Sequence, residues 1–145
     1  MSGESERIVV RLLSPTGPVV VQLPITPADT LRADEVDAVL RMKGGRPVRT
    51  VDDLLGDNHL LALPLESELV FPAFQFDHSE HRLYPVVAYA NERLYCGDDP
   101  WGVLDWWYTA EHIFDDQRPV DLVRSGELTE QLVDRSIAAD SSGMC

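Results

Sequence analysis

All three tryptophans of this chain fall within seven residues, at Trp101, Trp106 and Trp107. A buried aromatic side chain removes about 150–250 Å² from water, so this segment must lie where the chain packs most closely. The run Asp99-Pro100-Trp101-Gly102-Val103-Leu104-Asp105-Trp106-Trp107-Tyr108 reads as a helix. Asp99 can cap it, and Pro100 stands in the first turn, where a missing N–H is tolerated. Trp101, Leu104 and Tyr108 then form one stripe. Successive residues lie about 100° apart around a helix, so Trp106 and Trp107 cannot point the same way. Two readings stand. Either all the rings belong to one core, or Trp101 is core and Trp106 or Trp107 reaches a second surface, as tryptophan does at interface hot spots.

The segments on either side predict an α+β fold. Ile8-Val9-Val10-Arg11-Leu12-Leu13 and Val19-Val20-Val21-Gln22-Leu23 are β-rich runs around the turn Ser14-Pro15-Thr16-Gly17-Pro18, which reads as a hairpin. Leu31, Val36, Val39 and Leu40 have helical spacing, with Gly44-Gly45 as the stop. Thr50 to Leu55 predicts a second short helix, capped by Thr50 with Asp53 three residues on. Leu60–Leu63 and Leu69–Phe71 predict a β-wing, and Pro72 to Asp77 an extended crossing segment. Helices follow over Pro85–Tyr95, from Pro100, from Pro119 to a stop at Gly126, and through Leu128, Leu132, Val133 and Ile137. The domain reading is an N-terminal hairpin and winged-helix-like lobe over 1–77, a helical domain over 78–139 and a loose polar tail over 140–145. A chain of 145 residues suffices for one good core, or for two small ones that share surface.

Charge is unevenly spread. The net charge is −13, and residues 65–145 hold 16 acids against 5 bases. Such a balance opposes nucleic-acid binding by the chain as a whole and suits a basic partner surface. The exception is Arg41-Met42-Lys43-Gly44-Gly45-Arg46-Pro47-Val48-Arg49, with four bases and no acid. It lies between the two helices of a winged helix-turn-helix order, which makes Arg41, Lys43, Arg46 and Arg49 the candidate DNA contacts. The second helix opposes that role, because Asp52, Asp53 and Asp57 would repel phosphates.

The sequence offers little chemistry. His78 and His81 stand in a polar loop without a third ligand, so no metal site is expected. There is no nucleophile elbow, P-loop or dinucleotide fingerprint. Lys43-Gly44-Gly45-Arg46 reads as a helix end and basic turn, and Asp98-Asp99 and Asp115-Asp116 as caps and solvated turns. Cys96 and Cys145 have no ligand spacing and fit a reducing cytoplasm. The acidic polar start is neither a secretory nor a transit signal, and no apolar run reaches the ~18 residues of a membrane span. The expectation is a cytoplasmic interaction protein that is not an enzyme and takes no cofactor.

Four strings add a resemblance: Phe71-Pro72-Ala73-Phe74-Gln75-Phe76-Asp77, Arg82-Leu83-Tyr84-Pro85-Val86-Val87, Asp99-Pro100-Trp101-Gly102-Val103 with Trp106-Trp107, and Arg118-Pro119-Val120-Asp121-Leu122-Val123. Together they resemble the Xre/MbcA/ParS-type antitoxins, which are encoded beside RES-domain toxins. The resemblance is best over 69–139, holds only in outline over 33–63, and does not extend to the hairpin at 8–23. It implies a C-terminal toxin-binding domain whose end blocks the toxin's NAD-binding cleft. It also implies an N-terminal part that dimerises and binds the operon's own promoter. The toxin-facing candidates are Trp106, Trp107, Arg118, Pro119, Asp121, Leu122, Leu128, Leu132 and Arg135. The partners implied are a RES-domain toxin, promoter DNA and further copies of the chain, as a homodimer or hetero-oligomer.

Overall fold

The computed structural model describes residues 7–41, 49–65 and 68–143. Strands β1 (Val9–Ser14) and β2 (Gly17–Gln22) form the N-terminal hairpin. Pro15 and Thr16 make its two-residue turn, with Ser14 paired to Gly17. Gly17 has φ 120°, a backbone conformation that a side chain would strain. The ribbon is tied to the chain that follows it, where the Ile8 N–H donates to the Ile25 carbonyl (2.9 Å) and the Leu23 N–H to the Ile8 carbonyl (2.7 Å).

Strand β3 (Thr30–Arg32) leads into helix α1 (Ala33–Leu40), and α2 (Val51–Gly56) precedes β4 (Leu63–Leu65) and β5 (Glu68–Pro72). The sheet is antiparallel in the order β3–β5–β4, so the strand before the helices pairs with the second strand of the wing. The two helices and the antiparallel wing expected over this stretch are present in that order. Thr50 caps α2 reciprocally, accepting from the Asp53 N–H (3.1 Å) while the Asp53 carboxylate accepts from the Thr50 N–H (3.0 Å). The wing differs from expectation in one respect: Leu60 and Leu61 precede its first strand and are core residues.

A short ribbon of β6 (Phe76–Asp77) and β7 (Arg82–Leu83), paired Phe76 to Leu83, straddles the boundary expected after Asp77. The helices are α3 (Pro85–Arg93), α4 (Pro100–Trp107), α5 (Pro119–Ser125) and α6 (Glu130–Gly143). Asp99 caps α4 by accepting from the Gly102 N–H (3.0 Å), and α5 ends on Gly126 at φ 79°. The last helix continues through Gly143, past the start of the expected tail at 140. A single hydrophobic cluster runs from Val10 through Val36, Leu61 and Phe71 to Trp107, Val120 and Val133. Each large apolar side chain in it contributes about 1.5–3 kcal/mol.

Candidate partner-binding surface

The aromatic helix is enclosed on two sides by its own chain. Trp107 is fully buried and Trp106 is 7% exposed, whereas Trp101 is only half-buried. This reverses the expectation that Trp101 is core and Trp106 or Trp107 reaches outward. The physical reason is that α4 is packed from both directions. Phe74 lies 4.9 Å from the Trp107 ring, and Phe114 lies 6.1 Å from the Trp106 ring at a near-perpendicular angle. Each indole N–H also has an internal acceptor, Asn91 Oδ1 for Trp107 and Ser136 Oγ for Trp106, both at 3.0 Å.

These acceptors belong to polar networks that join the elements. Gln75 and Asn91 are completely buried. The Gln75 amide oxygen accepts from the Leu61 N–H (2.9 Å) and from Asn91 Nδ2 (3.0 Å), while its Nε2 donates to the carbonyls of Leu61 and Pro72 (3.0 Å each). Asn91 Nδ2 donates again to the His59 carbonyl (2.9 Å). Every hydrogen of both amides is used, so the burial cost is met. On the other side of α4, Ser136 is fully buried and its hydroxyl donates to the Glu111 carboxylate (2.7 Å). Docking of α6 onto α3 is completed by Tyr89, whose hydroxyl lies 2.8 Å from both Asp134 oxygens, and by Arg93 at 3.4 Å from the same carboxylate.

The residues expected to face a toxin divide accordingly. Trp106, Trp107, Pro119, Leu122 and Leu128 are buried and serve as scaffold. Arg118, Asp121 and Leu132 are half-buried and Arg135 is exposed. Arg118 grips Asp121 with Nε at 2.8 Å and Nη2 at 3.0 Å, and its guanidinium lies 5.4 Å from the centre of the Tyr108 ring. The hydrogen bonds from Arg118 hold the Asp121 carboxyl below the usual carboxylate range. Burial pushes the Tyr108 hydroxyl up. Arg124 also approaches Asp121, at 3.7 Å, so two cations share this carboxylate.

The acidic excess lies elsewhere. Residues 98–116 carry six acids and neither Lys nor Arg. Asp98, Asp99, Asp105, Asp115 and Asp116 are exposed, while Glu111 is turned inward to Ser136. Sequence reading also missed Tyr95. It follows α3 with φ 57°, unusual for a bulky residue, and its side chain is 64% exposed. The signal for Gln75 was present, as a lone amide inside the apolar string Phe71–Phe76. Nothing in the spacing marked Asn91 as its partner.

On the basic side, Lys43 and Arg46 lie outside the described residues. Arg41 pairs with Asp37, and Arg49 pairs with Asp57. Arg49 also lies 2.8 Å from His59 Nδ1, and His59 Nε2 lies 3.2 Å from Glu92. Asp52, Asp53 and Asp57 are exposed on and beside α2. Of the loop histidines, His78 is exposed, but His81 is half-buried and lies 3.0 Å from the Val39 carbonyl. Its role is to fasten the loop to α1. Cys96 is buried, and that burial pushes its thiol up to about 12, which removes it from nucleophilic chemistry at neutral pH. Among the described residues, no three His, Cys, Asp or Glu side chains gather as a metal site, and no helix is long and apolar enough to cross a membrane.

No family model matches the chain, and neither a curated protein nor a solved structure matches it.

Proposed function

We propose that this chain is an antitoxin that binds a RES-type, NAD-consuming toxin and occludes its active site, performing no catalysis itself. The observation that carries the reading is that the four strings of the resemblance, separated in sequence, pack against one another. Phe76 of the first pairs with Leu83 of the second, Phe74 of the first meets Trp107 of the third at 4.9 Å, and Arg118 of the fourth lies over Tyr108, which directly follows the third. In this reading the buried tryptophans hold α4, α5 and α6 in place. The partner contacts come from Arg118, Asp121, Leu132 and Arg135, with the exposed acids of 98–116 supplying attraction toward a cleft that is basic enough to hold a pyrophosphate.

Deleting 127–145 would be a poor test, because Val133 and Ser136 are fully buried and their loss would damage the fold. Surface substitutions separate the two effects. The R135E variant and an Asp105, Asp115, Asp116→Lys variant should keep the wild-type circular dichroism. Both should lose protection against a co-expressed RES toxin from the same operon, and calorimetry should show binding weakened by about tenfold or more. Full neutralisation by both folded variants would refute the reading.

The β3–β5–β4 order with α1 and α2 favours a second reading, a DNA-binding regulator that acts through residues 41–49. A gel shift at physiological salt that is lost in the R46A/R49A variant would support it, and the absence of any shift would end it.

A further inference from the structure

Among the described residues, the exposed large hydrophobics are Val9, Val19, Val20, Leu69 and Tyr95, and three of these five belong to the β1–β2 hairpin. Val9 is 58% and Val20 63% exposed, on the same face of the ribbon as Arg11 and Gln22. A two-stranded ribbon is marginally stable by itself. This one belongs to no larger sheet.

Its two edges are not equivalent. The Leu23 N–H bonds to the Ile8 carbonyl, so with Val10 paired to Val21 and Leu12 to Val19 the even-numbered residues of β1 face β2. The backbone groups of Val9, Arg11 and Leu13 therefore point away from β2, a row of donors and acceptors without a backbone partner among the described residues. The corresponding positions on β2 are Pro18, Val20 and Gln22, and Pro18 has no N–H to offer. The β1 edge is complete, whereas the β2 edge is blunted. Charge narrows the occupant. Two copies of a chain with net charge −13 repel one another over most of their surface. Residues 8–25 contain one charged side chain, Arg11, and no acid, so this is where a second copy meets the least repulsion.

We propose that the hairpin is a self-association surface: the β1 edges of two copies pair antiparallel about a two-fold axis, giving the strand order β2–β1–β1–β2. Such an interface is self-complementary, because each copy presents the same row of donors and acceptors. With the axis at Val10, Val9 of one copy stands opposite Arg11 of the other, so the two guanidinium groups do not meet head on. The Val9 and Val20 faces then become continuous across the dimer. The resemblance implies an N-terminal part that dimerises but does not extend to this hairpin, so the β1 edge as the dimer surface goes beyond the antitoxin reading.

Sedimentation equilibrium and amide hydrogen exchange on the full chain test it. The expected result is a dimer, with the Val9, Arg11 and Leu13 amides protected in a concentration-dependent way. R11P removes an outward N–H that the hairpin itself does not use, and V9K sets a second cation opposite Arg11 of the other copy. Each should raise the dimer dissociation constant by about tenfold or more, while L69E outside the hairpin should leave it unchanged. A wild-type chain that is monomeric throughout the concentration range overturns the proposal. So does a dimer that both hairpin variants leave intact. Protection of the β1 amides only on adding a different protein would also overturn it, and would assign the edge to a foreign strand.

Discussion

The junction around Gln75 and the N-terminal hairpin invert the usual distribution of side chains. At the junction, amides lie at zero exposure, and in the hairpin valines lie open to water. The difference is in what each group has been given. Gln75 and Asn91 have a partner for each amide hydrogen, so their burial adds specificity to the packing of Trp107 without an unpaired charge or dipole. Val9 and Val20 have no such provision among the described residues. A buried polar group thus marks a finished part of the molecule, and an exposed apolar one marks an unfinished part.

The largest test of this contrast is Gln75→Leu. It keeps the volume but strands both backbone groups of Leu61, the Pro72 carbonyl and one Asn91 N–H. A loss of about 3 kcal/mol or more in urea unfolding is expected, and a loss under about 1 kcal/mol would break the comparison. Acid should act through carboxylates that take part in neither the buried amide network nor the hairpin. Asp53, Asp77 and Asp121 have depressed pKa values, held down by hydrogen bonds from Thr50, Ser79 and Arg118 respectively. A depressed carboxylate adds stability above its ordinary range and loses it as pH falls through the folded value. The melting temperature should therefore drop as pH falls through and below the ordinary carboxylate range, and the gap between wild type and Asp121→Asn should close over that same fall. The smallest effect belongs to the hairpin. Val20→Thr should change monomer stability by less than about 0.5 kcal/mol, as an exposed strand substitution does. A larger loss in dilute protein would mean that the valine is already packed.

Local chemistry was the most legible part of the sequence. The hairpin turn at Pro15-Thr16, the Thr50–Asp53 box, the Asp99 cap, Pro119 and the Gly126 stop each follow from one or two residues acting on their own backbone, and each stands where expected. The arrangement around α4 was not legible for the opposite reason. A helical wheel correctly separates the directions of Trp106 and Trp107, but it does not count how many neighbours the chain will bring to the helix. Here Phe74 and α3 cover one side, Phe114 and α6 the other, and both rings are enclosed. The same limit applies to charge. Summing acids over residues 65–145 located an acidic half, whereas the expected contact residues include the bases Arg118 and Arg135, with Arg124 between them.

The hydrogen bond from the Trp107 indole to Asn91 has an optical consequence. Asn91 is tied in turn to Gln75 and to the His59 carbonyl, so a fluorophore in the C-terminal helices is wired to the backbone of the N-terminal lobe. Emission from this indole is a local gauge of that lobe: if the segment around His59 and Leu61 opens, the Trp107 ring loses its dry, hydrogen-bonded surroundings even while α4 stays helical.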